Sequence, residues 1–165
     1  MDIVKTYFLT ERIEAFAFIS IGLLAILFAM WLLVSVRVHF YNGMAYSLIV
    51  IALIQIGLGT VVVFTTSRNI VRVDTYVAAA EKDKINDEEI PRMEDTMKRY
   101  VIFRYVAFTL LVAGIALFFV NREPSLWKGI GFGLGIQALV MLGLGYFETV
   151  RGHDYLLYLR TLIAS

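Results

Sequence analysis

The chain has no cysteine, only two prolines and only two histidines in 165 residues. The lack of cysteine removes disulfides, thiolate metal sites and thiol catalysis. His39 and His153 lie on opposite sides of a long apolar region, too far apart across about 30 Å of hydrocarbon to share a metal or grip one haem. His153 is followed by Asp154, but no plausible nucleophile lies nearby in the sequence. The clustered His, Asp or Cys ligands that membrane hydrolases and redox proteins use are missing. We therefore expect no enzyme, no cofactor and no bound metal. Charge of one sign is scarce as well, because 15 basic and 14 acidic residues leave a net charge of +1. That balance provides no basic field for nucleic acid.

Apolar residues are abundant. They make up 59% of the chain and mean hydropathy is +0.75, against about 45–50% in soluble domains. Four uninterrupted apolar runs, residues 13–36, 44–66, 101–120 and 126–147, each reach the roughly 18 residues needed to span a bilayer. Neither proline falls inside one. The first run is longer than the roughly 7–15 residues of a signal-peptide core and no small-x-small cleavage site follows it, so it should stay in the mature protein. The expected fold is an all-α integral membrane protein, a four-helix bundle of four transmembrane helices in one membrane domain over residues 1–165.

Lys and Arg are distributed unevenly. Lys5 and Arg12 precede the first span. Arg68, Arg72, Lys82, Lys84, Arg92, Lys98, Arg99 and Arg104 lie around the middle loop, and Arg151 and Arg160 lie in the tail. The two short connections hold only Arg37, Arg122 and Lys128. Under the positive-inside rule both termini and the middle loop are cytoplasmic. The expected location is a plasma membrane, in a bacterium the inner membrane. Phe40, Tyr41 and Trp127 sit where the outer aromatic belt would anchor the chain.

Between the second and third spans, Ile70, Val73, Val77 and Ala80 recur three and four apart, and so do Ile90, Met93, Met97 and Tyr100. This heptad-like spacing on two arms predicts that the membrane helices continue into a cytoplasmic helical hairpin over residues 67–100. Asn86 and Glu89 have the spacing of a capping box and Pro91 suits a first helical turn, so the returning arm should begin there. The charges on this segment are mixed, which marks a solvated surface and not a lipid-binding patch. Val4, Tyr7 and Phe8 suit either a short helix lying in the inner interface or a frayed tail. Residues 148–165 place Tyr155, Leu156, Leu159, Leu162 and Ile163 on one stripe, an amphipathic C-terminal helix.

Glycine is concentrated in "GIGFGLGIQALVMLGLG", residues 129–145. Laid without gaps on "GMAYSLIVIALIQIGLG" (43–59), it matches at Gly43/Gly129, Leu48/Leu134, Ala52/Ala138, Leu53/Leu139, Gly57/Gly143, Leu58/Leu144 and Gly59/Gly145. The first and third spans align at an offset of 92 through Arg12/Arg104, Ala15/Ala107, Phe16/Phe108 and Gly22/Gly114. These matches predict an internal repeat of two like-oriented hairpins. Gly129 with Gly133 and Gly131 with Gly135 form two small-xxx-small pairs on nearly opposite sides of one helix. One face would serve the bundle. The other would serve a homo-oligomer, or both would tighten a monomer. Gly57 and Gly143 complete the expected packing set. No phosphate-cradling loop is present, because the strand-turn-helix context is missing.

Few polar residues fall at membrane depth. Gln55 and Gln137 lie near mid-span and can either hydrogen bond between helices or line a path. Glu14, Arg104, Glu148 and Arg151 fall at similar depth near the inner boundary, where they can cluster or snorkel. Two functions follow. The favoured one is a non-enzymatic assembly or accessory subunit that docks a cytoplasmic or membrane protein through the hairpin, with Glu88, Glu89 and Glu94 on the docking surface. The alternative is a homo-oligomeric channel or small transporter lined by Gln55, Gln137 and the inner charges.

Overall fold

The computed structural model describes residues 3–36, 38–79 and 81–164. Arg37, counted with the connections, and Ala80, placed on the hairpin stripe, lie outside these residues, as do Met1, Asp2 and Ser165. Helix α1 runs Ile3–Ser35 and α2 His39–Ala78. A single turn, α3 (Lys82–Lys84), leads through a π-helical turn (Ile85–Glu89) into α4 (Ile90–Val120), and α5 spans Leu126–Ala164. The helices run on because nothing stops them. Pro91 sits at the start of α4, where its missing N–H costs least, and Pro124 lies in the connection before α5.

At about 1.5 Å per residue, the 40 residues of α2 extend about 60 Å, roughly twice the hydrocarbon thickness. Four helical stretches, Ile3–Ser35, His39–Ala78, Lys82–Val120 and Leu126–Ala164, are long and apolar enough to cross a membrane. Their outward surfaces fit that solvent, since Leu24, Val34, Phe64, Phe119 and Leu139 are all more than half exposed. A continuous apolar surface of this extent is foreign to a water-soluble monomer. The molecule is an all-helical, multi-pass membrane-type bundle. We term the end holding the start of α1, the α2–α4 turn and the end of α5 the polar end, and the opposite one the connection end.

Helix α1 packs along α2, α4 along α5, and α2 against α5. Because each hairpin reverses direction, α2 and α5 run parallel. They cross at the connection end on glycine: a Cβ on Gly43 would lie 2.0 Å from the Leu126 carbonyl oxygen, and one on Gly129 1.8 Å from that of Phe40. Gly133 seats Ser47 and the Met44 backbone. Gly131 faces Gly114 and Leu117 of α4, and Gly114 in turn meets Gly131 and the Gly135 backbone. Gly129 and Gly133 thus grip α2 and Gly131 grips α4 of the same chain, whereas a Cβ on Gly135 would meet nothing within 4 Å. The second face is therefore taken up within the chain at Gly131 and open at Gly135. At Gly57 and Gly143, both exposed, an added Cβ would also meet nothing within 4 Å.

Two further expectations are corrected. Gly22 abuts Ala52 and Ile56, whereas Gly114 abuts Gly131 and Gly135, about two helical turns from the positions that the 92-residue offset demands. Low-complexity apolar sequence aligns at several offsets, and side-chain fit selects a different one. Nor do the first residues form a separate interfacial segment or a frayed tail. They are the first turns of α1, with Val4, Tyr7 and Phe8 buried, because α5 and the α2–α4 turn offer them an apolar partner.

Candidate functional site

The polar end carries the densest chemistry in the molecule. Val4, Tyr7 and Phe8 of α1, Val73 of α2, Ile85 of the π turn, Met93 of α4 and Tyr155 and Leu159 of α5 form one buried cluster. All four long helices thus contribute to a core beyond the apolar spans. Ile70, Val77, Ile90, Met97 and Tyr100 pack against it, so both arms turn their apolar stripes to a core shared with α1 and α5. Tyr7 and Tyr155 stack with ring centroids 4.1 Å apart and planes 8° apart. The Tyr7 hydroxyl donates to Met93 Sδ at 3.5 Å.

A carboxylate lies inside this core. Glu89 is fully buried, and Arg92 clamps it with Nε donating to Oε2 at 2.8 Å and Nη2 to Oε1 at 2.6 Å. The Tyr155 hydroxyl donates to Oε1 at 3.2 Å, and Arg72 Nη2 stands 3.7 Å from Oε2. Burial, and after it the charge of Glu89, raises the Tyr155 phenol above its ordinary value, which keeps it a donor. The Arg92 guanidinium lies 5.8 Å from the Phe8 ring centroid. A buried charge is tolerated only when paired and hydrogen-bonded, and three elements converge to meet that condition.

This geometry overturns two readings of Glu89. Helix resumes at Lys82, so Asn86 lies inside the π turn and caps nothing; its Nδ2 donates to Asp87 Oδ1 at 3.0 Å. The wider π turn carries Ile85 and Glu89 to the buried side shared with Met93. Glu89 is therefore unavailable for docking. Glu88 and Glu94 remain at the surface, where Glu88 accepts from Tyr76 at 2.8 Å and Glu94 from Arg160 Nη2 at 2.9 Å.

The inner charged cluster forms in part. Arg151 pairs with Glu14 and lies over the Tyr7 ring. Arg104 is exposed and Glu148 half-buried. Sequence reasoning missed Glu11, which accepts a 2.9 Å hydrogen bond from Thr66, together with Tyr7, Arg72, Arg92 and Tyr155. The available signals were the Glu89/Arg92 spacing of three and the Tyr7 and Tyr155 positions on apolar stripes. In mid-span, Gln55 Nε2 donates to Gln137 Oε1 at 3.1 Å, with the two residues 1% and 2% exposed. That bond ties α2 to α5 where lipid offers no alternative partner.

Among the described residues no three His, Asp or Glu side chains converge to hold a metal ion. His39 opens α2 at the connection end and His153 is exposed on α5 at the polar end. No protein family, no curated protein and no solved structure matches the chain.

Proposed function

We propose that this protein is a non-enzymatic assembly or accessory subunit of a membrane, docking a protein partner through the headpiece at its polar end. The carrying observation is that headpiece: extensions of all four helices share a buried core and present exposed, mixed charge at Asp83, Lys84, Glu88, Asp95 and Lys98. An extension serving only to end the spans needs neither a core nor a clamped internal carboxylate. The location is a plasma membrane with both termini cytoplasmic, a reading supported by the asymmetry of Lys and Arg.

Conduction is the second reading. Gln55 and Gln137 share one hydrogen bond, which leaves Gln55 Oε1 and Gln137 Nε2 buried without a partner, while glycine brings α2 against α5 at the connection end. The open surfaces beside Gly57 and Gly143 are the places where a second copy could approach closely. A parallel internal repeat is part of this proposal; what supports it is that Gly43 meets Leu126 and Ile130 while Gly129 meets Phe40 and Met44, reciprocal contacts at one offset of 86.

The test combines three measurements. A cysteine replacing Glu123 should react with an impermeant thiol reagent on intact cells, and one replacing Asp83 should not. A photocrosslinker at Asp83 should capture a discrete protein that Glu88→Lys with Glu94→Lys abolishes and Gln137→Leu leaves in place. Ion flux through wild-type protein in liposomes, lost in Gln137→Leu while the crosslink survives charge reversal, would overturn docking in favour of conduction.

A further inference from the structure

Where the apolar spans meet the headpiece, charge is sorted by sign. Thr66 donates to Glu11 at 2.9 Å, Arg151 pairs with Glu14, and the Phe18 and Phe103 ring centroids lie 6.0 Å apart, so all four long helices meet in this band. Over residues 9–16, 63–72, 97–106 and 144–151 the acids Glu11, Glu14 and Glu148 are all part-buried, and no carboxylate is exposed. Arg12, Arg68, Arg99 and Arg104 are exposed, and among the described residues none of the four has an ion-pair partner. Arg12 lies 5.7 Å from the Phe16 ring centroid, and Arg99 donates to Thr96 at 2.9 Å. A guanidinium carries five N–H donors, so neither contact exhausts it. Lys98, the other exposed cation of the band, is paired with Asp95.

We infer that this band of arginines binds the phosphates of anionic phospholipids in the adjacent leaflet. Guanidinium groups hold phosphate through charge and paired N–H donors, and clusters of about four to eight basic residues at the foot of membrane spans recognise anionic headgroups. Each of the four apolar runs begins or ends inside the band, which sets it at headgroup depth. Cβ atoms tilt toward a helix N-terminus. Arg104, at the fourth residue of its run, therefore leans out of the hydrocarbon because α4 starts at the polar end, and Arg68, just past its run, leans back because α2 ends there. The two approach one depth from opposite sides. The occupant is a lipid and not an acidic protein segment, because Ile13, Phe64, Ile102 and Tyr105 stand among the arginines with more than half of their surface exposed, and acyl chains cover such side chains. On the outward face of α4, Ile102, Tyr105, Val106, Thr109 and Leu110 line a shallow groove of about 410 Å³, and Arg99 shares that face one turn nearer the polar end. The mixed charges of the headpiece tip lie beyond the band. The inference rests on the membrane placement of the helices and is independent of docking by the tip.

Native mass spectrometry of the purified protein, offered phosphatidylglycerol or phosphatidylcholine with identical acyl chains, tests it. Wild type should retain phosphatidylglycerol about fivefold better, the equivalent of about 1 kcal/mol, which one arginine contributes at an anionic surface. Arg12→Gln, Arg68→Gln, Arg99→Gln and Arg104→Gln together should bring the two lipids to parity, and Lys at the same four positions should keep most of the preference. Arg68→Gln with Arg104→Gln should lower it, whereas Lys82→Gln with Lys84→Gln, the same loss of charge at the tip, should leave it as it is. All these side chains are exposed, so their replacement leaves the fold intact, and an unchanged melting temperature verifies this. Equal retention by wild type, a preference that survives loss of all four arginines, or an equal drop in the tip variant would overturn the inference.

Discussion

Gly129→Ala is expected to melt about 5–10 °C below wild type in detergent, whereas Gly143→Ala should melt at or slightly above it. The added methyl of the first lands 1.8 Å from the Phe40 carbonyl oxygen and 2.9 Å from the Met44 nitrogen. Both obstacles are backbone, so no rotamer change relieves them and α2 must move off α5. Overpacking typically costs about 1–3 kcal/mol, and a rigid backbone obstacle belongs at the upper end. At about 2–4 °C per kcal/mol for chains of this size, the shift follows. Gly143 has open space around the same position, so there alanine only improves helix propensity, by roughly 0.5–1 kcal/mol. Gly43→Ala should resemble Gly129→Ala, and Gly57→Ala should resemble Gly143→Ala. Four equal melting temperatures would refute the crossing of α2 and α5 on glycine.

Glu89→Ala should destabilise the headpiece by about 3 kcal/mol, near the lower end of the cost of breaking a buried ion pair. The lower end applies because the Arg92 side chain keeps 19% exposure and can turn toward water. The loss has two parts: the guanidinium forfeits a bidentate partner, and the Tyr155 hydroxyl loses its acceptor. Replacing both members, Glu89→Leu with Arg92→Leu, removes the orphaned charge and should recover most of the stability, since buried pairs exchanged for apolar residues are often neutral. Hydrogen exchange at the amides of residues 85–100 reads the effect locally. If the double variant is as unstable as the single one, the pair does more than satisfy itself, and Glu89 is needed for the path of the π turn.

Much of this arrangement is legible in one dimension. Apolar runs of about 20 residues find the spans because a bilayer demands continuous apolar length. The spacing of Val73 and Val77 against Met93 and Met97 finds the two arms because side chains three and four apart share a helical face. The same angular argument separates the Gly129/Gly133 face from the Gly131/Gly135 face. What periodicity lacks is the identity of the partner. Gly114 of α4 covers Gly131 on the face that could have met a second copy, and that depends on how two hairpins dock. Glu89 is the sharper case. In sequence it is an acid at a helix start; its burial depends on a π turn and on Tyr155, 66 residues away.

The sequence by itself thus determined four helices long and apolar enough to cross a membrane and the apolar stripes of their polar extensions, because these follow from local hydropathy and helical period. Only the tertiary structure decided which glycines are contacts and which are bare, at what register the hairpins pack, and that a charged core joins both ends of the chain at the polar end. Those outcomes depend on distances between residues remote in sequence, and close packing, not composition, sets such distances.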